Sequence, residues 1–178
     1  MSKTCVLLAF SLLFSAFSAA QLDFPRVEIF GGYSFAHNST AHLDFGAGWT
    51  AAPQFNLTRS ISFKADTSAH YATPAAGSTV NSYNFLFGPV VSNRVDGFTP
   101  FLYALAGANQ IGTGMPSASH TAFGMAFGGG VDINAARRVS VRLVQIDYLF
   151  TKQGTATHQD NVRVAAGIVF QLDRHRQE

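Results

Sequence analysis

Apolar and polar residues alternate along most of this chain with a period of two, the spacing of a β-strand rather than a helix. Between Thr121 and Ile133, Phe123, Met125, Phe127, Val131 and Ile133 share one face, and Ala122, Gly124, Ala126, Gly128, Gly130 and Asp132 share the other. Asn134 to Arg138 forms a short polar turn, and a further strand runs from Val139 to Phe150. The same reading gives strands at Val27–Phe35, Gly48–Leu57, Ile61–Tyr71, Ser82–Ser92, Thr99–Asn109 and Asn161–Leu172. Ile61–Tyr71 has the sharpest contrast, with Ile61, Phe63, Ala65, Ala69 and Tyr71 against Ser62, Lys64, Asp66, Ser68 and His70. In Thr99–Asn109 the bulky set is Phe101, Tyr103 and Leu105, set against Ala104, Ala106 and Ala108.

The two faces carry unusual chemistry. One is bulky and apolar, while the other is small, polar or charged. A soluble barrel turns its apolar face inward, whereas a membrane barrel turns it toward lipid around a polar lumen. The fold expected is therefore an all-β, eight-stranded antiparallel up-and-down transmembrane β-barrel. Connections alternate long and short, as expected for extracellular loops and periplasmic turns. Pro53 and Pro89 fall mid-strand, where each removes a ladder hydrogen bond, and either β-bulges accommodate them or the strands are bounded differently.

Composition agrees with this picture. Charged residues make up only 12% of the chain, aromatic residues 13%, and 17 residues are Phe. Residues 1–20 read as a secretory signal peptide: Lys3, an apolar run Val6–Phe17, then Ser18-Ala19-Ala20. That leaves residues 21–178 as the barrel domain, without the single Cys and therefore without a disulfide or thiolate site. Without Lys3, 11 basic residues face 10 acidic ones. No basic cluster points to nucleic acid.

Alternation predicts an inward polar set of Glu28, Lys64, Asp66, Arg142, Gln145, Asp147 and Arg163. Strict alternation from Val139 would aim Gln145 and Asp147 into lipid, where charge costs several kcal/mol at the midplane. One extra residue near Val144 corrects this, so a β-bulge is expected between Leu143 and Gln145. A hairpin centred near Thr155 would set Asp147 beside Arg163, and one centred near Ala136 would set Arg142 opposite Gly130. Trp49, Tyr71, Tyr83, Tyr103 and Tyr148 are the expected interfacial aromatics, since amphipathic rings favour the headgroup region.

Two readings of the lumen stand at this point: a structural plug, or a narrow gated pore for small solutes or ions. The narrow interior of about eight strands favours the plug. Catalysis has weaker support. His37-Asn38-Ser39 and Ser117-Ala118-Ser119-His120 hold residue types of an outer-membrane lipid-modifying hydrolase, but no carboxylate is spaced to orient either histidine. The six histidines show no metal-ligand spacing, and no cofactor is expected.

The segments GMAFGGGVDINAARRVSVRLVQIDYLF, TPFLYALAG and VRVAAGIVF, with Arg-x-x-Gln-x-Asp-Tyr at Arg142–Tyr148, resemble small outer-membrane β-barrel proteins related to the OmpA transmembrane domain. The resemblance spans the chain after the leader. It implies residence in the outer membrane among its lipids and insertion by the barrel-assembly machinery; the chain itself is expected to be a monomer without enzymatic activity, its loops available to an extracellular ligand. One departure concerns the terminal aromatic that the machinery reads in such proteins: here Phe170-Gln171-Leu172 is followed by Asp173–Glu178. No room is left for a peptidoglycan-binding domain.

Overall fold

The computed structural model describes residues 24–38, 43–45, 47–72, 80–113, 119–153 and 157–172. The expected signal peptide, the tail after Leu172 and parts of the long connections lie outside them. The strands are β1 (Val27–Asn38), β2 (Leu43–Phe45), β3 (Ala47–Asn56), β4 (Ile61–Ala72), β5 (Val80–Ser92), β6 (Phe98–Thr113), β7 (Ser119–Ala136), β8 (Val139–Gln153) and β9 (Thr157–Leu172). Each pairs antiparallel with its neighbour, and β1 also pairs with β9, which closes the sheet. β2 continues the line of β3 beside β1. It pairs Ala36 with Phe45 while β3 pairs Tyr33 with Trp49, so the register slips by one residue across the break. The architecture is thus an eight-stranded up-and-down barrel, with β2 and β3 sharing one barrel position.

The β3–β4, β5–β6 and β7–β8 turns all sit at one end. At the β3–β4 turn, the backbone N–H groups of Leu57 and Thr58 both donate to the Ile61 carbonyl, and Thr58 Oγ1 accepts from Ile61 N at 2.9 Å. At the opposite end the ladders run beyond the alternating segments. β6 and β7 still pair at Gly112 and Ser119, and β8 and β9 at Gln153 and Thr157. Those stretches read as loops because they are polar and rich in Gly and Ser. Backbone pairing needs no apolar face, so the hairpins continue past the patterned region.

The outer wall is apolar. Ile29, Phe35, Phe55, Phe63, Phe85, Phe87, Phe123, Phe127, Ile146 and Phe170 are all exposed. Inward positions are buried and mostly polar on β3, β4, β8 and β9. Leu86, Val90, Phe101, Tyr103, Leu105, Ala126 and Leu149 form an apolar cluster on the other side of the lumen.

Three expectations are corrected here. In β6 the facing is the reverse of that expected: Phe101, Tyr103 and Leu105 are buried, while Leu102 is 71% exposed. The reason lies on β7, where Phe101 is paired with Gly130 and Tyr103 with Gly128. A Cβ at Gly128 would meet Asp147 Oδ1 and Tyr103 Cζ, and one at Gly130 would meet Phe101 Cζ. The glycine column makes room for the inward rings, so Tyr103 is not an interfacial aromatic. The prolines are a second correction. Pairing on either side of Pro53 keeps one register (Ala51 with Thr67, Gln54 with Lys64), as does pairing around Pro89 (Phe87 with Ala106, Val90 with Tyr103). No bulge is needed, because each proline interrupts the ladder on one side while pairing continues on the other, Pro53 with Ile29 and Pro89 with Phe63. The third correction is that Arg142 lies opposite Asp132, not Gly130, because the hairpin turns at Arg137–Arg138, with Ala136 paired to Val139, rather than at Ala136.

Candidate functional site: a packed polar lumen

The β-bulge of β8 determines which side chains enter the lumen. Toward β9, Arg142 pairs with Gly167 and Gln145 with Ala165; toward β7, Val144 pairs with Val131 and Arg142 with Asp132. Both ladders slip at the same place. Leu143 and Val144 consequently both face out, while Arg142, Gln145 and Asp147 are all buried. Alternation with one inserted residue leads to this arrangement, which keeps all three polar side chains off the apolar outer wall.

Arg163 is the hub. It is completely buried and pairs across the ladder with Asp147. Its Nε donates to Asp147 Oδ2 at 2.6 Å, and its Nη1 donates to Asp66 Oδ1 at 2.9 Å and to Ser68 Oγ at 2.8 Å. Asp147 also accepts from Gln145 Nε2 at 3.0 Å and from the Tyr103 hydroxyl. Lys64 Nζ lies 3.3 Å from Asp66 Oδ2 and 4.1 Å from the centroid of the Tyr103 ring. Such a set tolerates burial because each charge has an opposite charge or a dipole against it. A lone buried ion would cost several kcal/mol.

Toward the turn end, Arg142 is gripped twice. Its Nε and Nη2 donate to the two carboxylate oxygens of Asp132 at 2.7 and 2.9 Å, the planar two-point geometry that suits guanidinium. Its Nη1 donates to Gln145 Oε1 at 2.7 Å, which links it to the Arg163 hub. Phe30 and Phe101 lie against it, each ring centroid 4.2 Å from the guanidinium carbon. Phe30 breaks the alternation of β1 in the sequence, and this contact explains it.

The mouth at the turn end has its own layer. Arg94 pairs with Glu28 at 3.0 Å, and Gln54 Nε2 donates to Glu28 Oε2 at 3.0 Å and to Asn56 Oδ1 at 2.9 Å. Phe24 is buried below Arg94, its ring centroid 5.8 Å from the guanidinium carbon. Asn56 Nδ2 anchors the lead-in chain by donating to the Pro25 carbonyl at 2.6 Å.

Toward the loop end, Asn84 Nδ2 donates to Ser68 Oγ at 3.2 Å, and Asn109 Nδ2 donates to Asn84 Oδ1 at 2.6 Å. Ser34 Oγ and His70 Nε2 lie 2.8 Å apart. That pair has the residue types of a nucleophile and a base, and both are buried in the lumen. Of the sequence pairs first considered, His37 lies on β1, Asn38, Ser119 and His120 are described in backbone only, and Ser39 and Ser117 lie outside the described residues.

All seven residues expected to face the lumen are brought together in these layers, along with several that alternation alone did not select. Arg94 reads as part of a turn and Tyr103 as an outward ring, while Asp132 falls on the small-residue face of its strand but outside the polar set named for the lumen. The signal for Tyr103 was the glycine column on the next strand. With them the lumen balances among the described residues: Glu28, Asp66, Asp132 and Asp147 match Lys64, Arg94, Arg142 and Arg163. Outside, Trp49, Tyr71 and Tyr148 are exposed and Tyr83 is half-buried. Tyr71 and Tyr83 meet edge to face at 6.4 Å, and Tyr33, paired with Trp49, is exposed near them at the same end of the wall.

No protein-family model and no curated protein matches the chain. Solved structures do. Neisserial surface protein A (NspA) aligns with a TM-score of 0.60 at 14% identity, over 82% of this chain and 96% of that one. The outer membrane protein OprG of Pseudomonas aeruginosa aligns with a TM-score of 0.57 at 9% identity, over 85% and 97%. The N-terminal β-barrel domain of OprF from the same organism aligns with a TM-score of 0.50 at 10% identity, over 82% and 98%. The chain shares the fold of these small barrels.

Proposed function

We propose that this protein is an integral outer-membrane β-barrel whose lumen is a structural plug and whose role is non-catalytic, exercised at the surface through its loops. The observation that carries this reading is the inverted distribution of chemistry. The outer wall is apolar, while the buried interior holds a charge-balanced network running from Asp132 through Arg142, Gln145, Asp147 and Arg163 to Ser68 and Asn109. In water such a wall would be an extended sticky surface, whereas in lipid it is ordinary solvent contact. The aromatic group at the loop end fits a headgroup boundary. OprG is an outer membrane protein and NspA a surface protein by name, which is in keeping with this location.

A plug accounts for the interior better than a pore. Rings, guanidinium groups and hydrogen-bonded amides occupy successive layers, and the Arg94–Glu28 pair with Phe24 lies at the turn-end mouth. Balanced charge also removes the field that would select ions of one sign. The hairpins that extend beyond the patterned wall support a role for the loop end in contacting other molecules.

Two measurements test the proposal. The protein should fractionate with outer membranes and show the heat-dependent gel mobility of a closed barrel. Recovery of native protein from the soluble periplasm without detergent would overturn the membrane reading. Planar bilayers containing the purified protein should show no sustained channels; stable ion-selective channels altered by Arg142→Ala would establish the pore instead. Lipid hydrolysis abolished by His37→Ala would replace the plug with an enzyme.

A further inference from the structure

The turn end of the barrel carries a ring of arginines. Arg59 lies in the β3–β4 turn, Arg94 in the β5–β6 turn, Arg137 and Arg138 in the β7–β8 turn, and Arg26 just before β1. Asp96, in the β5–β6 turn, is the exposed acidic side chain at this rim among the described residues, Glu28 and Asp132 being turned to the lumen. Arg94 is committed inward to Glu28. Arg26, Arg59, Arg137 and Arg138 are exposed.

Two of these arginines are held close together. Arg94 Nη1 donates to the Arg59 carbonyl at 2.5 Å, and Arg59 Nη2 donates to the Arg94 carbonyl at 3.1 Å. The reciprocal contact joins neighbouring turns and holds Arg59 at the rim beside Arg94, whose own charge Glu28 already meets.

Position identifies the kind of anion. Leu57 and Ile61 flank Arg59 and are exposed on the outer wall. Ile133 and Val141 stand in the same relation to Arg137 and Arg138. Each arginine therefore lies a few residues beyond the apolar band, where a long side chain extends from hydrocarbon into the headgroup layer. The arginines are distributed around the circumference on separate turns and do not converge on one pocket. A compact anion needs convergence, whereas a two-dimensional field of phosphates does not.

We propose that this rim binds the phosphate groups of anionic phospholipids in the leaflet at the turn end, which is the periplasmic leaflet. The proposal rests on the membrane-barrel reading above. Guanidinium groups suit phosphate because they offer planar paired donors. Lipid attraction of this kind would fix the height and tilt of the barrel in the membrane.

The test uses full-length protein purified from membranes and reconstituted in phosphatidylcholine bilayers. Trace spin-labelled phosphatidylglycerol or phosphatidylcholine is added, and electron spin resonance measures lipid immobilised against the wall. The anionic label should be enriched up to about fivefold per engaged arginine at low salt. Enrichment should fall toward parity at about 1 M salt, where the screening length is about 3 Å. Arg59→Gln/Arg137→Gln/Arg138→Gln should abolish it, while the matching triple lysine variant should retain it; heat-dependent mobility checks that both variants fold. Equal immobilisation of the two labels, or enrichment that survives the glutamine variant, overturns the proposal and would direct attention to an acidic protein partner. Absence of immobilised lipid of either kind would overturn the membrane reading itself.

Discussion

β6 and β8 cross the same wall, and both depart from the simplest alternation, but in different ways. β8 carries Arg142, Gln145 and Asp147, all buried, and reaches that outcome by inserting one residue at Leu143–Val144. β6 carries no charged side chain and has no such slip. Its large rings, Phe101 and Tyr103, face inward while Leu102 and Ala104 face outward. Charge in lipid is so unfavourable that it dictates facing wherever it occurs. Size alone dictates nothing, because a ring fits either side of the wall if the neighbouring strand leaves space. For β6 that space is the Gly128 and Gly130 column of β7.

Deletions would probe this contrast most severely. Removing Ala104 from β6 inverts one half of a strand without a bulge to absorb the change. Either Asn109 turns to lipid or Phe101 and Tyr103 leave the lumen, and no heat-modifiable barrel is expected after refolding. Arg163→Met comes next. It leaves Asp66 and Asp147 buried without their shared partner, and stability should fall by about 3–5 kcal/mol, read from urea unfolding in lipid vesicles. Gly128→Ala is smaller: the added methyl meets Asp147 and Tyr103, and the cost expected from the same unfolding curve is about 1–3 kcal/mol. Combining it with Tyr103→Leu should recover part of that loss, which a defect unrelated to the ring would not do.

The mildest change should be deletion of Leu143. It removes the extra residue from both ladders, yet Arg142 and Gln145 keep their inward facing because one outward position remains between them. A folded, heat-modifiable barrel is expected, in opposition to the Ala104 deletion. Loss of the barrel would mean that the bulge does more than correct the facing of β8.

Much of this fold could be read from one-dimensional pattern. Period-two alternation is a property of the extended backbone, so strand positions and the antiparallel hairpin order follow from it. The penalty for charge in an apolar solvent is equally local, and it placed Lys64, Asp66, Arg142, Asp147 and Arg163 inside and required the β8 bulge before any partner was known. The facing of β6 was not local. Phe101 and Tyr103 against Ala104 and Ala106 is an alternation of large and small residues, and its sign depends on the strand hydrogen-bonded beside it.

The lumen network depends still more on closure of the sheet. Arg163 on β9 and Asp66 on β4 are 97 residues apart, and their 2.9 Å contact exists only because the barrel brings opposite walls together. The same holds for Arg94 with Glu28 and for Arg142 between Phe30 and Phe101. Sequence determined which face each charge would occupy, since that energy belongs to the residue and its solvent. Tertiary structure decided which charges meet and which rings turn inward, because both depend on the shape of space left by distant strands.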